Sequence, residues 1–155
     1  MDMPRPGAAH EKLKPFVGQW SGEETIAPSP MDPTGGTAYA KVDNRLALGG
    51  FVVIQDYAQE RGGTVNFEGH MVMSYDAAKS EYVMDWWDSF GLGRTEYRGT
   101  FEGRSLTLVA ATPMGRARAT YDHSQDGFYG FTMEISVDGT TWIPFMTGEY
   151  KRLGG

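Results

Sequence analysis

The chain has 155 residues, 40% of them hydrophobic and 22% charged, no cysteine, and a net charge of −6. That composition suits one globular domain, which at this length buries roughly 70% of the surface its unfolded chain exposes. It excludes thiolate metal sites, cysteine nucleophiles and disulfide scaffolds, and the acidity argues against a nucleic-acid partner, which needs clustered Lys and Arg.

Residues 1–7, with Pro4, Pro6 and Gly7, read as a flexible lead-in, and residues 8–155 as a single domain. No apolar signal segment follows Met1 and no stretch approaches the length of a membrane span. Cytoplasm is therefore the expected compartment, with no membrane partner. Ala8 to Lys14 predicts one or two helical turns ended by Pro15.

Gly18-Gln19-Trp20 opens the first strand-like segment, just after the apolar pair Leu13 and Phe16, and Lys151-Arg152 closes the last. Between them, turn signals at short intervals separate runs of aromatic and β-branched residues, the pattern of an all-β chain with about ten strands. The fold this predicts is a closed antiparallel up-and-down barrel with a short N-terminal helix capping one end. First and last strands are then neighbours, and Arg152 or Lys151 can lie over the Trp20 indole.

Three hairpins allow the strand faces to be assigned, because directly paired residues share a face. A turn at Asp76-Ala77-Ala78-Lys79 pairs Met73 with Tyr82, Met71 with Met84 and Gly69 with Trp86. A two-residue turn at Glu102-Gly103 pairs Phe101 with Arg104 and puts Tyr97, Phe101, Leu106, Leu108 and Ala110 on one face. The turn at Thr112–Gly115 adds Ala117, Ala119 and Tyr121 to it. Asp138-Gly139 pairs Ile135 with Trp142, Met133 with Pro144 and Phe131 with Met146. An odd loop or a bulge near Ser124–Gly127 is required to keep the faces consistent. Each hairpin has one face rich in aromatics and methionine, taken as inward.

His10-x-x-Leu13-x-x-Phe16-x-Gly18-x-Trp20, then Leu48-Gly49-Gly50-Phe51, Ser74-Tyr75-Asp76 and Tyr82-x-x-Asp85-x-Trp87-Asp88-Ser89, resemble a bacterial family of unknown function within the calycins. That superfamily includes lipocalins, fatty-acid-binding proteins and nitrobindins, and the resemblance spans about His10 to Arg152. It implies a barrel with an internal cavity and a small-molecule role. Two signatures do not carry over. The resemblance would place a haem-binding histidine on the last strand, and none follows His123. It would also place an Arg-x-Tyr pair there, where this chain has Tyr150-Lys151-Arg152.

Candidate chemistry is sparse. His70 and Asp85, expected opposite each other, fall on the outer face and read as a solvated pair. Asp88 falls on the inner face before the loop Ser89–Gly93, where it caps the strand end or anchors a ligand at the cavity mouth. Residues 91–118 carry five Arg against two Glu, an excess of +3 that leaves −9 elsewhere. Arg94, Arg98, Arg116 and Arg118 read as an outer surface laced to Glu96. With the faces inverted, Arg116 and Arg118 become a clamp for an anion. Catalytic elbows, metal-protease motifs and phosphate loops are absent from the sequence.

The reading is non-catalytic binding of a small, largely apolar molecule, with no cofactor or metal. Met71, Met73, Met84, Trp86, Asp88, Tyr97, Phe131 and Met146 form the site. The alternatives are a dimerisation module presenting Trp87, Ile143 and Phe145, an enzyme built on Asp88 with an inward His or Arg, or haem binding.

Overall fold

Burial alternates residue by residue along most of the chain, the period of strands with one face on a core. In the computed structural model, which describes residues 2–29 and 32–154, ten strands follow in chain order. They are β1 (Gly18–Ile26), β2 (Gly36–Ala47), β3 (Val52–Arg61), β4 (Thr64–Asp76) and β5 (Glu81–Asp88). Then come β6 (Thr95–Glu102), β7 (Ser105–Thr112), β8 (Gly115–Asp122), β9 (Phe128–Ser136) and β10 (Ile143–Arg152). Met1 of the expected lead-in and Gly155 of the expected domain lie outside the described residues. Every strand pairs antiparallel with its sequence neighbours, and β1 also pairs with β10, which closes the barrel and leaves no sheet edge.

The predicted faces hold over most strands while the predicted registers shift; at the start of β10 a one-residue slip reverses them, so Ile143 joins Ile135 on the inner face and Trp142 lies outside over Arg118. The β4–β5 turn falls one residue later than expected, which shifts the register by two, so Tyr75 pairs with Tyr82, Met73 with Met84 and Met71 with Trp86. The β6–β7 turn is Gly103-Arg104, and Phe101 pairs with Leu106 instead of Arg104. Both slips are even, so no side chain changes face. In the β9–β10 hairpin, Asp138 turns the chain by accepting from the backbone N–H groups of Thr140 and Thr141. There Ile143 pairs with Ile135, and a bulge between Pro144 and Met146 brings Met146 opposite Met133. The parity change between β8 and β9 is absorbed by the five-residue loop after Asp122.

Two inward glycines fit the tight curvature. A Cβ on Gly22 would overlap the Glu149 carbonyl, and one on Gly99 the Thr107 carbonyl.

One end of the barrel is plugged. A four-residue helix, α1 (Ala8–Glu11), leads into a 3₁₀ turn (Lys14–Phe16). Pro15 sits inside this second turn and does not end the first, since an N-terminal helical position needs no N–H. Leu13 and Phe16 are fully buried. The Phe16 carbonyl accepts from Trp20 Nε1 at 3.0 Å and Asn44 Nδ2 at 2.9 Å, and the Ala9 carbonyl from the Tyr82 hydroxyl at 2.5 Å. Trp20 pairs with Arg152 across the β1–β10 seam, and the guanidinium carbon lies 4.6 Å from the indole centre.

Candidate functional site

Alternation from the buried Trp20 places Gly22, Glu24 and Ile26 on the inner wall of β1. Glu24 is therefore a carboxylate inside the barrel, and it is 0% exposed. Its donors come from two flanking directions. Tyr57 of β3 donates to the carboxylate at 2.7 Å, Gln59 Nε2 of the same strand at 2.9 Å, and Tyr150 of β10 by a short bond to Oε2. Gln59 also touches Met146 Sδ at 3.8 Å and the Tyr57 hydroxyl at 3.2 Å. None of these partners is a cation, so a buried charge here is held by neutral donors alone. The consequence is visible in the phenols. Burial and the nearby Glu24 push Tyr57 and Tyr150 far above the ordinary tyrosine range.

The cluster opens onto the residues that sequence reasoning selected. The Tyr57 ring packs edge-on to Trp86 and to Phe67, each at 6.1 Å, and Phe67 meets Phe90 at 5.1 Å. Trp86 lies flat over Gly69, where a Cβ would overlap the indole, and Tyr150 lies likewise over Gly148. Trp86 Nε1 donates to Asp88 Oδ2 at 2.8 Å, and the Phe90 N–H donates to Asp88 Oδ1 at 3.0 Å. Asp88 therefore caps the strand end while its carboxylate stays on the inner face. It sits opposite Gly69. Tyr97 is pushed up to about 12 by burial and by Asp88.

Met71, Met73, Met84 and Tyr97 are buried on the inner wall, whereas Trp86, Asp88, Phe131 and Met146 are only half-buried there. Met73 lies toward the plug, across from Val53, and is the member farthest from Glu24's partners in register. The half-buried positions, with Met133 and Ile135, mark the end opposite the plug as open. Facing walls carry Ala38, Ala110, Ala117 and Gly148, which project little into it. Two outer hollows, of about 370 and 390 Å³, contain none of the eight predicted residues.

The other candidates resolve onto the outer surface. Leu106, Leu108, Ala117 and Ala119 are buried, so the faces are not inverted and the anion clamp of Arg116 and Arg118 is not formed. Arg118 binds Glu134 through two bonds of 2.9 and 3.0 Å and stacks 4.2 Å from Trp142; Arg94 and Arg98 hold Glu96. His70 pairs across the other side with Asp56 at 2.8 Å, because the register shift puts Trp87 opposite it, and Asp85 binds Arg94. Ile143 shares the inner face of its partner Ile135, and Trp87 on β5 and Phe145 on β10 lie on opposite sides of the ten-strand ring, so the three make no single outer patch.

At the plugged end, His123 continues the inward alternation of Ala119 and Tyr121. It is 2% exposed, packs 4.3 Å from Phe16 and stacks on Tyr129 at 5.1 Å. Its Nε2 has no partner. Burial first, and then Arg104, lowers its pKa to about 4, with Asp122 opposing and Arg152 adding to the shift.

Fold and site together define a closed ten-stranded barrel, plugged at one end, with a polar cluster inside its open half. The chain belongs to the protein family of unknown function DUF1579, which matches residues 5–152. Among solved structures, it is similar to Rv2717c from M. tuberculosis, at a TM-score of 0.72 and 11% identity, covering 96% of this chain and 99% of that one. It is also similar to the S-type phycobiliprotein lyase CPES from Guillardia theta, at a TM-score of 0.62 and 8% identity, covering 97% and 99%. No curated protein sequence matches the chain significantly. Among the described residues, no helix is long and apolar enough to cross a membrane.

Proposed function

We propose that this protein binds a small, largely apolar molecule inside the barrel, entering through the end opposite the plug, without chemically changing it. The observation that carries this reading is the half-burial of inner-wall side chains at that end. Trp86, Phe131, Met133, Ile135 and Met146 face the interior yet reach solvent, so apolar and aromatic surface is on offer there. Met71, Met84 and Tyr97 form the wall below them, with Met73 at the base. Methionine adapts its shape, which suits a lining for ligands of varied outline. Glu24 and Asp88 supply the few polar groups that orient a bound molecule. Phe90 and Leu92, 61% and 87% exposed on the loop between β5 and β6, stand at the rim as a cover. That a phycobiliprotein lyase shares this barrel shape agrees with a ligand-handling role.

The test uses the neutral dye Nile red and a variant that fills the interior. Wild type is expected to bind the dye one-to-one, and native mass spectrometry of freshly purified protein to show a co-purifying small molecule. Ala117→Phe, which projects a ring from β8 into the open half, should weaken dye binding about tenfold or more while the protein stays folded. Failure of the dye to bind, or binding unchanged in Ala117→Phe, overturns the reading.

A further inference from the structure

Resting on that reading, we infer that the interior selects a ligand with a positively charged nitrogen, a hydrophobic amine, and rejects the corresponding carboxylic acid. The inner wall of the open half carries two carboxylates, Glu24 and Asp88. The cation of that end is Arg61, in the inward phase of β3 two residues beyond Gln59, and Asp32 pairs with it at 2.7 Å, which leaves Glu24 and Asp88 as the carboxylates without a cation. Arg152, by contrast, sits at the plugged end over Trp20. Glu24 has three uncharged donors and Asp88 has an indole and a backbone amide. Both charges are thus solvated but not neutralised, and in a poorly screened interior that favours an incoming cation.

The walls between the two carboxylates have the matching chemistry. Tyr57 and Trp86 stand edge to face at 6.1 Å, one bonded to Glu24 and the other to Asp88. Tyr150 and Tyr129 stack at 4.6 Å beside them. An ammonium group is stabilised both by aromatic faces and by carboxylates, and the aromatic body behind it takes the methionine wall. The Tyr57 hydroxyl has committed its proton to Glu24 and accepts from Gln59 Nε2, so its remaining lone pair is what it offers the ligand's N–H. A fatty acid's carboxylate would meet two like charges, with Arg61 already paired to Asp32.

Three probes with one body and different heads test this: 1-naphthylmethylamine, 1-naphthalenemethanol and 1-naphthoate, titrated calorimetrically at pH 7 and low salt. The ammonium form is expected to bind about tenfold or more tighter than the alcohol, and the carboxylate more weakly than either. Glu24→Gln and Asp88→Asn should each cut the amine-to-alcohol ratio at least threefold. Glu23→Gln, on the exposed face of β1, is the control for simple attraction to an acidic surface and should leave the ratio intact. Asp88→Asn keeps the test decisive if Glu24→Gln fails to fold. Equal binding of amine and alcohol, or ratios unmoved by both variants, overturns the charge selectivity while the interior site stands. Binding of none of the three overturns the interior site as well.

Discussion

Glu24→Ala is expected to destabilise the fold by about 4 kcal/mol, read as a drop in the urea midpoint with the slope unchanged. The loss does not come from the carboxylate's own contribution. Removing it leaves the Tyr57 and Tyr150 hydroxyls aimed at a void and takes from Gln59 Nε2 its strongest acceptor. Each stranded donor then bears the desolvation it escaped when it was bonded. Glu24→Leu combined with Tyr57→Phe and Tyr150→Phe removes acceptor and hydroxyl donors together, and should recover at least half of the lost stability. If that triple variant is no better than Glu24→Ala, the cluster is not the source of the loss. The same geometry governs alkaline behaviour. Tyr57, Tyr129 and Tyr150 have folded-state pKa values raised above the ordinary 10, through burial and Glu24. Their stabilisation is therefore complete below pH 10 and is lost as pH rises beyond it, when only the unfolded chain ionises them. Phenolate absorbance from these three should appear together with unfolding and not before it.

What sequence reasoning reached and missed follows from one property of strands. Side chains alternate with period two, so a pairing register misplaced by two residues leaves every face correct. That is why Met71, Met73 and Met84 are inward although the β4–β5 register was off, and why Leu106 and Ala119 are buried while Arg118 is outside. Pairwise partners tolerate no such slip. His70 was matched with Asp85 and in fact meets Asp56, from a strand the hairpin argument did not include.

Glu24 was missed for a related reason. No turn anchors β1 in sequence, yet Trp20, which the cap places inside, fixes the parity of Glu24 four residues on. That signal was present. Its partners were not legible, because Tyr57 and Tyr150 lie 33 and 126 residues away and are brought together only by closure of β1 against β10. The bulge in β10 did leave a mark: Pro144, which cannot donate to a ladder, stands where the register shifts.

His123 makes the acid side of the stability profile steep over a window in which few other groups act. Its folded pKa, about 4, is depressed from an ordinary value near 6.5. Between these values the unfolded chain binds a proton that the folded chain refuses, so stability falls as pH falls. The stabilisation is complete above pH 6.5 and spent by the time pH passes below 4. The expected loss is about 2 kcal/mol at pH 5 and about 3 kcal/mol at pH 4. The carboxylates with depressed values, Asp76, Glu96, Asp122 and Asp138, act only below their own unfolded range near pH 4 to 4.5. They leave the interval from 6.5 to 4.5 to the histidine. Arg104 and Arg152 face the ring and resist its protonation, whereas Asp122 favours it. His123→Phe keeps an aromatic between Phe16 and Tyr129 and removes the unpartnered Nε2. The variant should be at least as stable as wild type at pH 7 and nearly flat from pH 6.5 to 4.5. Denaturant midpoints at half-unit pH steps decide it: a variant that retains the wild-type slope places the pH sensitivity elsewhere, and one that is flat assigns it to this ring.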